Sequence, residues 1–292
     1  MRGDLGCVGG RSEGPTLAVV APPGELGSGM ISGVLLDIDG VLTVSWKPLP
    51  GAAEALAWLR DQEIDFRLVT NTSSRSRHQI ARLLADAGME VDWSRILTAV
   101  SSARRYLAER HPGAGCLVVN EGPLEEDLKG IEMAGPGSAG VVLLGGAGPS
   151  VGYRELDAVF KLAVKGVPVV ALHRNTRYQT ADGPALDMGA FVVGLEAAAG
   201  IEIPFVGKPA PAFFHAALAD LGVNPADALM VGDDIGSDVL GGQAVGMTGV
   251  LVKTGKFRPS DLGGVGPAPD HVIDEVGHMP DLLRRLSDGH AP

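Results

Sequence analysis

The sequence predicts an α/β protein: a doubly wound, Rossmann-like parallel-sheet core with a second α/β unit inserted into it. Three observations carry this prediction. Short apolar runs alternate with stretches of helical spacing along most of the chain, as in strand–helix–strand units. Several of these runs end in polar clusters, at the carboxyl ends of strands where open α/β sheets bind ligands. The alternation continues through residues 100–200, a length of domain size, and the first pattern then resumes.

The chain is organised around residues 34–42, Val-Leu-Leu-Asp-Ile-Asp-Gly-Val-Leu. An apolar run ending in turn chemistry reads as a buried parallel strand. Asp37 and Asp39 would then stand at its carboxyl end, repelling each other unless a cation or a shared proton intervenes. That tension is the first sign of a metal site. Gly40 lets the chain turn away where a side chain would crowd the pair.

Residues 43–50 read as an irregular loop. A helix is predicted over 51–60, with Ala52, Leu56 and Leu59 on one face. A strand over 66–69 ends in Thr70-Asn71-Thr72-Ser73-Ser74. The helix over 76–87 places Ile80, Leu83, Leu84 and Ala87 at helical spacing, and Gly88 stops it. The second set comprises a helix over 101–110, a strand over 116–119, a short acidic helix over 124–128 and a strand over 141–144. It continues with a helix over 153–164, a strand over 167–172 and a helix over 189–199. In the last third, Val206-Gly207-Lys208-Pro209 precedes a helix over 212–221, and a strand over 228–231 ends in Gly232-Asp233-Asp234. A helix over 237–245, interrupted by Gly241 and Gly242, strands over 250–252 and 271–273, and a helix over 279–286 follow. The expected division is a core of 30–99 and 201–290, an inserted unit of 100–200 and a tail of 1–29. The tail is rich in Gly, Pro and Ser without periodicity and reads as flexible. Met30 stands just before the first strand and is expected to be the true start; mass spectrometry of the natively expressed protein checks this, and a peptide from within 1–29 would sink it.

Composition narrows the function classes. Of 292 residues, 45% are hydrophobic and 20% charged, a globular balance, and the formal charge is −11. Such a charge argues against nucleic acid or an anionic membrane as partner. Two cysteines, Cys7 and Cys116, are too few for a disulfide framework, and the reducing cytoplasm is the expected compartment. No apolar run approaches the ~18 residues of a membrane span. An acidic protein handling an anionic substrate must concentrate positive charge locally.

Four sites recur at expected strand ends or the loops beside them: Asp37 with Asp39; Thr70-Asn71, a hydroxyl and a backbone amide able to hold phosphate oxygens; Lys208; and Asp233, Asp234 and Asp238. Taken singly, each has a bland explanation: a capped turn, an Asx turn, a surface lysine, a helix N-terminus favouring negative charge. Their joint occurrence, in this order, is far more specific. Magnesium takes about six oxygen ligands and usually keeps several waters; Asp37, the Asp39 backbone carbonyl and Asp233 could supply the protein share.

In that order, Asp37-Ile38-Asp39-Gly40, Thr70-Asn71, Lys208 and Gly232-Asp233-Asp234 with Asp238 resemble the four motifs of the haloacid dehalogenase (HAD) superfamily. Val206-Gly207-Lys208-Pro209-Ala210-Pro211 and Lys253-Thr254-Gly255-Lys256-Phe257 resemble its branch with a type IIA cap, and the large insert looks like that cap. The likeness covers 31–286. It implies a magnesium-dependent phosphatase acting on a small phosphorylated metabolite or phosphoamino acid through an aspartyl-phosphate intermediate. Asp37 would be the nucleophile, and Asp39 the acid for the leaving oxygen and then the base for water. Thr70, Asn71 and Lys208 would stabilise the phosphoryl oxygens, Asp37, Asp39 and Asp233 would hold magnesium, and Asp234 and Asp238 would act through water or by orienting Lys208. Caps of this type often pair, so the resemblance also allows a homodimer through the cap.

A dehalogenase needs an attacking aspartate but neither a protonated leaving group nor a metal, so Asp39 and the acidic cluster favour phosphoryl transfer. Phosphomutases of the superfamily usually carry a different cap, inserted earlier, which leaves hydrolysis. Within the insert, His173, Arg174, Asn175, Arg177 and Tyr178 are rich in donors. They have two readings of equal weight: a segment that leans over the site and binds the leaving group, or an exposed basic loop. Two other function classes remain: a catalytically silent binding or scaffold protein on the same fold, and a phosphoacceptor signalling domain. The latter phosphorylates an aspartate on a later strand than its acidic pair and lacks such an insert.

Overall fold

The computed structural model describes residues 31–180, 183–263 and 267–287. The tail over 1–29 and the start at Met30 lie outside the described residues. Up to the insert the order is β1 (Gly33–Asp37), β2 (Thr43–Val44), β3 (Lys47–Pro48), α1 (Ala52–Asp61), β4 (Asp65–Thr70), α2 (Arg77–Asp86), β5 (Ile96–Thr98) and α3 (Ala99–Arg110). Next come β6 (Cys116–Val119), β7 (Val141–Leu144), α4 (Tyr153–Val164), β8 (Val169–Ala171), β9 (Arg177–Thr180), β10 (Gly183–Leu186) and α5 (Met188–Ala199). The chain closes with α6 (Pro211–Leu221), β11 (Ala228–Gly232), α7 (Leu240–Gln243), β12 (Thr248–Val252), β13 (His271–Ile273) and α8 (Met279–Ser287).

The main sheet has six strands in the order β13-β12-β11-β1-β4-β5, all parallel. Leu36 of β1 pairs with Leu68 on one side and Val231 on the other. Strand order runs outward in opposite directions from β1, so its carboxyl end is a topological switch point, where such sheets bind ligands. Alternate residues of β1 feed different cores, as strand geometry requires. Val34 and Leu36 pack with Leu56, Leu59, Ile80, Leu84 and Leu282 of α1, α2 and α8. Leu35 packs with Phe213, Phe214 and Leu218 of α6. Covered on both faces, the strand reads in sequence as continuously apolar.

The inserted unit has its own parallel sheet, β6-β7-β8. Val142 and Leu144 face α4 and α5 through Val159 and Val192. Val141 and Leu143 face α3 through Ala103 and Leu107. No helix among the described residues is long and apolar enough to cross a membrane.

Several elements differ from the sequence expectation. Residues 43–50 contain a two-stranded hairpin whose turn residues, Ser45 and Trp46, both take positive φ; a two-residue turn of that kind normally announces itself with Asn or Gly. Strand β5 is unforeseen: it has three residues, and the last, Thr98, also caps α3. The acidic segment 124–128 makes an isolated turn closed by Leu128 N–H donating to Leu124 C=O at 3.0 Å, too short to propagate between Pro123 and Gly130. The helix expected over 237–245 starts earlier, as a wide π-helical turn over Ile235–Val239. Arg177 and Tyr178 belong to a β-hairpin with β10.

Phe213 is fully buried against Phe214, ring centroids 5.8 Å apart in a T-shaped pair. Phe213→Ala is expected to cost about 3–5 kcal/mol, read as a lower urea midpoint at unchanged slope.

Candidate active site

Asp37 is the last residue of β1 and is buried. Lys208 enters the same space from the segment before α6, and only 3% of its surface is exposed. Its Nζ stands 2.7 Å from Asp37 Oδ1 and 2.7 Å from Asp238 Oδ1, and it donates to the Val69 carbonyl at 3.3 Å. Its backbone is fixed by Asn71, whose Oδ1 accepts from Lys208 N–H and whose Nδ2 donates to Lys208 C=O, both at 2.9 Å. Thr70, the last residue of β4, accepts from Thr72 N–H at 3.0 Å.

Asp233 follows β11 and is 1% exposed. Its Oδ2 accepts Lys256 N–H at 2.7 Å. Asp37, Asp233 and Asp238 each bring a carboxylate oxygen within 4.8 Å of the other two. Gly40 and Gly255, both at positive φ, close on Asp233: a Cβ on either would lie 2.0 Å from its Oδ2. Asp234 turns elsewhere, accepting from Gly236 and Ser237 N–H at 3.1 Å and lying 3.5 Å from Lys256 Nζ. Asp39 reaches solvent two residues beyond Asp37.

The electrostatics follow from this crowding. Burial, then the charges of Asp37 and Asp238, push Asp233 up to about 8. Burial raises Asp238 too, against the pull of Lys208. For Lys208 burial works against the charge, but Asp238 and Asp37 outweigh it and raise the ammonium above its ordinary value. Partial desolvation and the Asp37 charge raise Asp39. Burial opposes ionisation of Asp234, yet the Lys256 charge and the Ser237 N–H hold it below the usual carboxylate range.

Residues 34–134 match a family model described as haloacid dehalogenase-like hydrolase, and residues 205–279 a HAD-hydrolase-like model. A human protein named haloacid dehalogenase-like hydrolase domain-containing protein 2 is 37% identical over 257 residues, 88% of this chain and 97% of that one. The chain belongs to the HAD-like hydrolase family. It is also similar to the rat phospholysine phosphohistidine inorganic pyrophosphate phosphatase, at 33% identity over 88% of this chain and 96% of that one. Among solved structures it resembles p-nitrophenyl phosphatase from Archaeoglobus fulgidus, with a TM-score of 0.81 and 28% identity, covering 87% of this chain and 99% of that chain.

In this HAD-like site the donor set suits a hard divalent cation. The convergent groups are all carboxylate oxygens, the kind magnesium prefers. Asp233 Oδ1 is buried with no hydrogen-bond partner among the described residues. Such an orphaned acceptor is costly unless a cation or water meets it.

The cap candidates separate. His173 is 3% exposed, 3.9 Å from Asp187, and its Nδ1 has no hydrogen-bond partner among the described residues. Burial, and the Lys256 charge, outweigh Asp187 and lower its pKa below the ordinary histidine value. Arg174 is committed to Glu196 at 2.6 Å. Asn175 is half-buried, while Arg177 and Tyr178 are exposed. Sequence reasoning quoted Lys256 only as part of a resemblance, yet it sits among the carboxylates; its place just past β12, another strand end, was the available signal.

Gly255→Ala is expected to weaken divalent-cation binding about tenfold or more, measured by calorimetry on the folded protein. Unchanged affinity would show that Asp233 does not depend on the glycine pinch.

Proposed function

We propose that this hydrolase is a magnesium-dependent phosphatase of small phosphorylated substrates, working through an aspartyl-phosphate intermediate, with residues of about 100–200 as its cap. The observation that carries the reading is the asymmetry of the Asp37–Asp39 pair. Asp37 is buried and 2.7 Å from Lys208, while Asp39 is exposed and raised in pKa. One carboxylate is thereby kept as a nucleophile, the other as a proton carrier. The names of the rat and archaeal relatives, both phosphatases, support the same reaction class.

An Asp37 oxygen attacks phosphorus as the bond to the leaving oxygen breaks, and Asp39 gives that oxygen its proton. Asp39, now a carboxylate, takes a proton from water as the water attacks the aspartyl phosphate, releasing orthophosphate and Asp37. Lys208 and the Thr70–Asn71 segment hold the phosphoryl oxygens, and positioning with charge stabilisation is most of what this chemistry needs. Asp37, Asp233 and the Asp39 carbonyl would hold magnesium, which supplies charge neutralisation at the phosphoryl oxygens when bound. Asp238 fixes Lys208 directly, consistent with an orienting role. Asp234 serves the turn behind Asp233 and Lys256.

Hydrolysis of p-nitrophenyl phosphate with magnesium is the direct test. Chelation should stop turnover and added magnesium restore it. Asp37→Asn should lose about a thousandfold or more in kcat. Asp39→Asn should still bind magnesium yet lose roughly 10²–10⁴-fold; lost magnesium binding with retained turnover would reverse the two assignments. Equal inertness of wild type and Asp37→Asn across a broad phosphate panel would remove the reading altogether.

A further inference from the structure

The loop between β4 and α2 carries Thr70, Asn71 and Thr72 on one side and is gripped from the other by the inserted unit. Asn120, just past β6, donates through Nδ2 to the Ser73 carbonyl at 3.0 Å, and also to the Glu121 and Gly122 carbonyls at 2.8 and 2.9 Å. Its Oδ1 accepts Gly146 N–H at 2.6 Å. The approach is close enough to forbid side chains. A Cβ on Gly145 would lie 1.9 Å from Asn120 Oδ1, and one on Gly146 would lie 2.6 Å from Ser73 Oγ.

A second grip lies at the other end of the loop. Asp127, in the isolated turn after β6, is 3% exposed. Its Oδ2 accepts Arg77 N–H at 3.1 Å, and its Oδ1 pairs with Arg77 Nε at 3.1 Å. Arg77 is the first residue of α2. A carboxylate from the inserted unit thus satisfies a free N–H at the start of a core helix, where negative charge is favoured. Breaking such a buried charged contact is expensive. Nothing in the hydrolytic chemistry uses either side chain, yet each meets the loop through backbone groups that fix its path.

We propose that Asn120 and Asp127 are positioning residues: from the inserted unit they hold the Asn71–Arg77 loop in its phosphate-binding shape. The inserted unit then contributes to binding of the phosphoryl group itself, whatever leaving group is attached. The proposal rests on the phosphatase reading. Its structural half, the hold on the loop, is measurable without turnover.

The test uses the full chain carrying Asn120→Asp, Asp127→Ala and Asp127→Glu. Asn120→Asp keeps the side-chain shape but turns a carboxylate toward three carbonyls. Asp127→Glu keeps the charge and is the rescue variant. Three quantities are read below the melting transition: hydrogen exchange of the 72–77 amides, the dissociation constant of orthophosphate by calorimetry, and kcat/KM for p-nitrophenyl phosphate. The expected result is faster amide exchange in Asn120→Asp and Asp127→Ala, with orthophosphate affinity and kcat/KM each down about tenfold to a hundredfold, and substantial recovery in Asp127→Glu. Faster exchange with unchanged kinetics and phosphate affinity overturns the positioning role, and so does unchanged exchange. A lower melting temperature with wild-type kinetics marks the contacts as structural and overturns it too. A wild-type chain that neither binds orthophosphate nor turns over overturns the phosphatase reading, and the positioning role with it, even where exchange shows the loop released.

Discussion

The site depends on one buried ammonium. Lys208 lies between Asp37 and Asp238, 2.7 Å from each, with almost no solvent contact. Removing such charges from water is costly, and only close pairing offsets it. Lys256 adds a second positive charge near Asp37, Asp233, Asp234 and Asp238, yet burial, and then the Asp37 and Asp238 charges, still raise Asp233.

The position of the ammonium is set in layers. Asn71 grips the Lys208 backbone from both sides; Asn71 in turn follows β4, which pairs with β1 beneath Asp37. Gly40 and Gly255 press on Asp233 from the loops after β1 and β12, and the Thr254 hydroxyl donates to the Gly40 carbonyl to tie those loops together. Asp37, Asn71, Asp233 and Gly255 thus stand at or just past the ends of four different strands, β1, β4, β11 and β12.

Much of this was legible in the sequence because strand ends punctuate it. Asp37, Thr70 and Asp233 stand where apolar runs stop, and apolar runs are what a doubly covered sheet produces. What escaped were contacts made through groups that every residue carries. Lys256 reaches Asp233 through its backbone N–H, which no side-chain pattern reports. Ser45 and Trp46 take a glycine-like conformation without glycine. Thr98 ends a strand and caps a helix at once, so the helical signal hid the strand. Asp127 looked like part of an acidic helix, although its carboxylate belongs to the start of α2.

The strand order has a kinetic corollary. β1 and β11 are hydrogen-bonded neighbours at the centre of the sheet, yet the whole inserted unit is synthesised between them. On the ribosome, β1, β4 and β5 can associate early, leaving the β11 side of β1 as an open edge. An unpaired apolar strand edge is a template for wrong partners, and long-range parallel pairing is slow to close. The nascent chain therefore carries its vulnerable surface through synthesis of the insert, and the carboxylate cluster assembles only when the last third arrives. Chaperone demand should concentrate in that interval, at the strand that bears Asp37.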